Sequence, residues 1–252
     1  MTVTAPRTDW LAILAEQAAA LEVAASSADP SAPVPDCEGW DVSSLVGHVG
    51  AVHRMVLDWT RTGRRRAGWA TAPPADDLLA WYRQGWQDLV AHLRDLGPGT
   101  VVPTWSPNDD TASFWHRRMA HETAIHALDA HRAAGTEQSW TASDAVAADG
   151  VDEALRVFLA GRLGRAGGEG ALVQVRVPGR WWSVALHQQV VEVGEPEGGP
   201  FADLTPDAVV RGPAPEVYRW VWGRGGDVMA SSGSGSRAAV HAVRDALARA
   251  TQ

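Results

Sequence analysis

The chain has 252 residues, one Cys, a formal net charge of −8 and 45% hydrophobic residues. A single thiol excludes an internal disulfide, the acidic balance argues against a phosphate-binding surface and so against nucleic acid, and no apolar run reaches the roughly 20 residues needed to span a bilayer. The first residues carry no basic, apolar leader, so the expected location is the cytoplasm.

All 22 basic residues are Arg, beside abundant Ala and Gly, which points to a GC-rich bacterial genome. In chain order, Trp10, Leu14, Ala18 and Leu21 recur at steps of three or four. They predict a helix over 8–27, capped by Thr8 or Asp9, which the Pro-rich loop after it ends. A second helix is expected over 41–63, with Asp41 as N-cap and Gly63 as stop. The basic run Arg64–Arg66 reads as a solvated loop. A third helix covers 76–97 and stops at Gly97-Pro98; a fourth covers 112–135. Four amphipathic helices on short and medium loops read as a four-helix bundle.

A further helix, about 143–163, leads out of the bundle. Beyond the Gly-rich break, residues 171–195 alternate and are β-branched, predicting two or three strands, with another at 207–212. Residues 214–224 and 236–250 read as helices. By composition Ser231–Ser236 is a mobile loop. The expected fold class is therefore α+β in two domains: a helical bundle over 1–165 and a smaller α+β domain over 168–252.

The chemistry concentrates in RRMAHETAIHALDAH, Arg117–His131. His121, Glu122 and His126 are one residue too widely spaced for the H-E-x-x-H of zinc proteases. At about 100° per residue, His121 and His126 lie about 140° apart around a helix, but Glu122 and His126 only about 40°. The usable unit is E-x-x-x-H, with His121 outside it. Trp115, Met119, Ile125 and Ala133 fall within about 60° of Glu122, so Glu122 and His126 face the core, with Arg118 and Asp129 on the same stripe. A buried carboxylate needs a partner: Arg118 one turn earlier, a proton, or a metal. On helix two, Leu45, Val52, Met55 and Trp59 form an apolar stripe with His48 in its middle, while His53 lies about 140° off it. Two His and one Glu are a known ligand set for Zn²⁺, leaving a fourth position for water or substrate. The plainer reading is a satisfied core His and an i,i+4 pair. Spacing leaves both open.

The segment CEGWDVSSLVGHVGAVHRMV, from Cys37, resembles the C-x-G-W-x-V-x-x-L-V-x-H-L segment of the mycothiol-dependent maleylpyruvate isomerase family. RRMAHETAIHALDAH resembles that family's R-x-x-E-x-x-x-H-x-x-D segment, and AVVRGPAPEVYRWVWGR its C-terminal strand leading to a helix that ends in W-G-R. The likeness covers nearly the whole chain. It implies a DinB-like four-helix bundle followed by a sterol-carrier-like α+β domain. It implies a divalent metal, typically zinc, on His48, Glu122 and His126, and a part in activity for Arg224, for which helix C-terminal capping is the alternative. The DinB name carries no implication of DNA binding.

The resemblance further implies mycothiol or a similar low-molecular-weight thiol. A divalent cation deprotonates a coordinated thiol, and the thiolate is the reactive form. The expected activity is isomerisation of, or S-transfer to, a small electrophile. Asp129 is expected either to orient His126 from behind or to pair with Arg132. Cys37 is expected to pack as a small apolar residue, so the reactive thiol comes from outside. Trp105, Trp115, Trp181 and Trp182 are expected to pack cores rather than line a cavity. Three alternatives stand beside this reading: a thiol-independent hydrolase using metal-bound water, a specialised biosynthetic enzyme on the same scaffold, and a non-enzymatic ligand-binding protein. No heptad seam points to a coiled-coil dimer.

Overall fold

The computed structural model describes residues 8–67, 73, 76–163, 170–187, 191–194, 201, 204–231 and 234–251. The chain divides into two compact units, residues 1–140 and 141–252. The first holds α1 (Trp10–Ser27), α2 (Val42–Thr62), α3 (Leu78–Leu96) and α4 (Ala112–Ala133). Three of these helices begin on an aspartate whose carboxylate accepts a free first-turn N–H: Asp9 from Ala12, Asp41 from Ser44 and Asp77 from Ala80. Gly63 and Gly97 end α2 and α3 at φ 66° and 76°, a conformation that costs glycine little. α1 packs on α3 and α4, and α2 packs on α3 and α4, giving the expected four-helix bundle.

α2 is buried more widely than a single stripe. Besides Leu45, Val52, Met55 and Trp59, it buries Val46, Val49, Val56 and His53 on its other sides. The His53 ring is fully buried, with Nε2 2.9 Å from Thr123 Oγ1 on α4. Burial is the main force pushing its pKa down from 6.5 to about 3. The unfolded chain therefore takes up a proton at this residue that the folded chain refuses. The stability contribution is complete above about pH 6.5 and is lost as pH falls from there toward 3. Between pH 7 and pH 5 the loss at this one residue is about 2 kcal/mol. Urea unfolding of wild type and His53→Gln at pH 7, 6 and 5 is expected to show a shallower pH dependence in the variant. Parallel curves would show that His53 carries no such linkage.

In the second unit α5 (Asp144–Asp152) runs directly into a π-helical stretch, Glu153–Ala160, and α6 (Gly161–Leu163). Strands β1 (Ala171–Val177) and β2 (Arg180–Leu186) form an antiparallel hairpin across Pro178-Gly179, where Gly179 takes φ 76°. With β3 (Val191–Gly194), β4 (Ala208–Arg211) and β5 (Met229–Ala230) they make a sheet of order β3-β2-β1-β4-β5. β1 and β4 are parallel; the other neighbours are antiparallel. α7 (Ala214–Val221) packs on α5 and β1, and α8 (Ser234–Thr251) on β1, β4 and the π-helical stretch. Asp152 ties helix to hairpin: its Oδ1 accepts from Arg156 Nε at 3.0 Å, Arg180 Nη2 at 2.7 Å and Trp182 Nε1 at 2.9 Å. A buried carboxylate is thereby neutralised within its own unit.

The two-domain α+β expectation holds, but the division between units lies at 140/141 and not at 165–168. The reason is packing: α5 and its π-helical continuation cover α7, α8 and β3, so the expected exit helix of the bundle belongs to the second unit. The expected loop Ser231–Ser236 also differs. Ser231 N–H bonds to Val209 O at 3.0 Å, and α8 already begins at Ser234, with Ser236 Oγ donating to Asp207 O at 2.7 Å. Those hydroxyl and backbone bonds anchor a segment whose composition alone reads as mobile; Ser232 and Gly233 lie outside the described residues. Of the four Trp expected in cores, Trp115 and Trp182 are fully buried, while Trp105 and Trp181 are half-buried. No helix among the described residues is long and apolar enough to cross a membrane.

Candidate metal centre

α2 and α4 bring His48, Glu122 and His126 together within the first unit. Glu122 Oε1 lies 3.3 Å from His48 Nε2 and 3.4 Å from His126 Nε2. All three donor atoms lie within 4.8 Å of one another. Tetrahedral Zn²⁺ with bonds of about 2.0–2.1 Å separates its ligand atoms by about 3.3 Å. Two imidazole nitrogens and one carboxylate oxygen at this spacing therefore fit a small divalent cation. Exposure falls along the set, from 33% for the His48 side chain to 18% for Glu122 and 11% for His126. The triad opens at His48 and closes at His126.

His126 uses both ring nitrogens. Nδ1 lies 2.9 Å from Oδ2 of the fully buried Asp129, leaving Nε2 to face Glu122. A carboxylate behind a histidine keeps the proton on the far nitrogen and aims the near lone pair. The Asp129 carboxylate thus meets His126, and Arg132 pairs with Asp36 and Glu137. Burial works against charge on His126, but hydrogen bonds to Asp129, Cys37 and Glu122 outweigh it and raise its pKa well above the usual value. Glu122 shows the reverse balance. Burial raises its pKa, yet Arg118, His126 and His48 together hold it well below the ordinary carboxylate range. Arg118 supplies the largest of these opposing effects: its side chain is 3% exposed and its Nη2 donates to Glu122 Oε2.

Two residues at the site were not assigned to it from sequence. Cys37 is half-buried, and its thiol approaches Asp129 Oδ2 at 3.5 Å, so it is a polar neighbour of the site and not simply an apolar filler. Trp40 stands with its ring 4.7 Å from that of His48 and stacked 6.1 Å from that of His126. Both sit in the loop before α2, which bonds to itself (Cys37 N to Val34 O, Trp40 N to Cys37 O) and turns at Gly39, φ 78°. The signal was present in the C-x-G-W string: its glycine permits the turn that folds Cys and Trp back onto the helix it precedes. His121 is fully buried against Trp10 of α1, 5.1 Å between rings, on the side of α4 away from the triad.

Arg224 lies in the second unit, half-buried just beyond α7, where its Nη1 donates to Trp222 O at 2.7 Å. That is a contact at the end of α7.

Comparison with known proteins agrees with this architecture. The family model described as "Mycothiol maleylpyruvate isomerase N-terminal domain" matches residues 10–131, and "MDMPI C-terminal domain" matches residues 145–249. No curated protein sequence matches the chain. Among solved structures, a mycothiol-dependent maleylpyruvate isomerase aligns with TM-score 0.52 and 18% identity. A histidine-to-alanine mutant under the same protein name aligns with TM-score 0.56 and 16% identity. In both, 89% of this chain and 92% of the other are covered, and the likeness is one of fold. With both domain models matched in order along nearly its whole length, the chain belongs to the mycothiol-dependent maleylpyruvate isomerase family.

Proposed function

We propose that the protein is a metal-dependent enzyme that uses mycothiol, or a similar low-molecular-weight thiol, to isomerise a small electrophile or to form a thioether with it. The observation that carries this reading is the convergence of His48, Glu122 and His126 at the separation a small cation demands, with Asp129 set behind His126. These three side chains would hold the cation, and their donor types suit Zn²⁺. When bound, it supplies the positive charge that makes a coordinated thiol a thiolate. Family membership, and the name of the two solved neighbours, support mycothiol as the thiol.

The chain's own residues prepare the site. Asp129 holds a proton on His126 Nδ1 and so presents the Nε2 lone pair. Arg118 engages Oε2 of Glu122, which leaves Oε1 toward the two histidines. Trp40, beside both imidazoles, shields one side of the triad from water. The thiolate donates its electron pair to an electrophilic alkene carbon. The C–S bond forms as the π pair moves onto a conjugated carbonyl oxygen, the former double bond rotates, and return of that pair expels the thiolate. In S-transfer, the neighbouring carbon instead takes a proton and sulfur stays. A part for Arg224 rests on the resemblance of its W-G-R segment alone.

The test is metal analysis of untagged protein, followed by assays on small electrophiles, beginning with maleylpyruvate, with and without mycothiol. About one zinc per chain and turnover that requires thiol are expected. Metal-free protein, or turnover indifferent to thiol, would count against the reading. Asp129→Asn is expected to weaken zinc binding by about 10–100-fold while retaining the fold. Competition against a chromogenic chelator measures this, and unchanged affinity would remove Asp129 from the site's machinery.

A further inference from the structure

The sheet of the second unit has two unlike faces. On one, Val173 and Val175 of β1 and Trp182, Val184 and Leu186 of β2 are buried, and Trp182 bonds to Asp152 of α5. Alternation puts the residues between them on the opposite face. There the register sets Arg211, Arg176 and Trp181 side by side across β4, β1 and β2, with Val209, Gln174 and Ser183 in the next row.

Arg176 and Arg211 are register neighbours on parallel strands, and like charges in that relation repel. The chain carries a net charge of −8, yet neither guanidinium meets a carboxylate among the described residues. Arg176 donates through Nε and Nη2 to Gln174 Oε1, the Nε bond at 3.1 Å, and lies 5.4 Å from the Trp181 ring. Arg211 is exposed. Beside them the Ser183 hydroxyl, on a residue 1% exposed, and the Trp181 indole Nε1 are buried with no hydrogen-bond partner. Buried polar groups are rarely left so.

Gln174 spends its oxygen on Arg176, so its amide N–H groups are what it has left to offer. The two rows thus present guanidinium, amide, hydroxyl and indole donors and no acidic side chain. Glu192 of β3 lies one row further, opposite Ala185. A surface of donors around two permanent positive charges suits a group that is negative and carries only acceptor oxygens, and the planar fork of Arg matches carboxylate and phosphate alike.

We propose that this face of the sheet binds a small oxyanion, the carboxylate or phosphate group of a small molecule. Arg176 and Arg211 supply the counter-charge, and Ser183 and Trp181 donate hydrogen bonds from the floor of the site. No residue of the His48–Glu122–His126 triad takes part, so the inference holds whether or not a metal binds there.

The full-length protein is titrated calorimetrically with succinate and, separately, with inorganic phosphate, in low-salt buffer free of other oxyanions. Saturable binding of about one equivalent is expected for at least one probe, and the tighter of the two identifies the group. Arg211→Gln and Arg176→Gln should each weaken that binding on the order of tenfold, and Ser183→Ala about threefold. Arg211 is exposed and has no carboxylate partner, so Arg211→Gln should keep the wild-type thermal midpoint in anion-free buffer and serves if Arg176→Gln does not fold. His48→Ala should bind the anion as wild type does. No saturable binding of either probe would overturn the inference. So would equal affinity in wild type and Arg211→Gln, or a loss in His48→Ala as large as that in Arg211→Gln, which would place the anion at the triad instead.

Discussion

His48→Ala and His126→Ala are both expected to strip the protein of its metal, but only the second is expected to lower the stability of the metal-free chain. Each removes one of three protein donors, and a structural zinc site holds its ion with roughly 10–16 kcal/mol shared among its ligands. Binding should weaken on the order of a hundredfold or more in each, with thiol-dependent turnover falling in step. The two differ behind the metal. His48 is a third exposed, and its loss opens the lip of the site to water. His126 is the partner of the fully buried Asp129, whose Oδ2 lies 2.9 Å from Nδ1. Removing the imidazole takes away a charge-assisted bond, at a cost of about 1.5–3 kcal/mol. Urea unfolding in chelator, beside zinc titration, reads both effects. His121→Ala is the control: its ring packs on Trp10 away from the triad, so zinc affinity should not change. Full zinc occupancy in His126→Ala would show that the convergence of donors is only a core polar cluster.

Much of the bundle is legible in the sequence because its boundaries are local chemistry. Asp41 and Gly63 bracket α2 with a carboxylate that accepts a first-turn N–H and a residue free to take positive φ. Rotation along α4 separates His121 from Glu122 and His126, and the structure shows that separation. What rotation along single helices does not give is what stands across from them. Trp40 and Cys37 reach the site through a loop whose path depends on Gly39 and three-dimensional packing, so periodicity is silent about them. The same limit governs the division between units. A helix following a bundle reads as part of it until the surface it covers is known, and here that surface belongs to α7, α8 and β3. β5, two residues long, carries too short a pattern to be read at all.

Glu122→Ala is expected to destabilise the metal-free protein by about 3 kcal/mol, more than an apolar truncation of its size and exposure would. The cause is Arg118. Removing one member of a buried charge pair costs about 3–5 kcal/mol because the other loses a counter-charge where water cannot replace it, and the Arg118 side chain is 3% exposed. Arg118→Met/Glu122→Leu removes both charges and fills their volume, a change that is often neutral or stabilising. Its urea midpoint in chelator should therefore lie nearer wild type than that of Glu122→Ala. The pH dependence follows from the depressed pKa of Glu122, in which Arg118, His126 and His48 outweigh burial. The carboxylate's contribution is present above its ordinary value of about 4.5 and is lost as pH falls through its lower folded value. The penalty of Glu122→Ala should thus stay constant from pH 8 to pH 6 and shrink only in acid. A metal-free double variant no more stable than Glu122→Ala would mean that Arg118 is held by its other contacts and not by Glu122. The pair would then owe its place in the core to the cation it helps to bind.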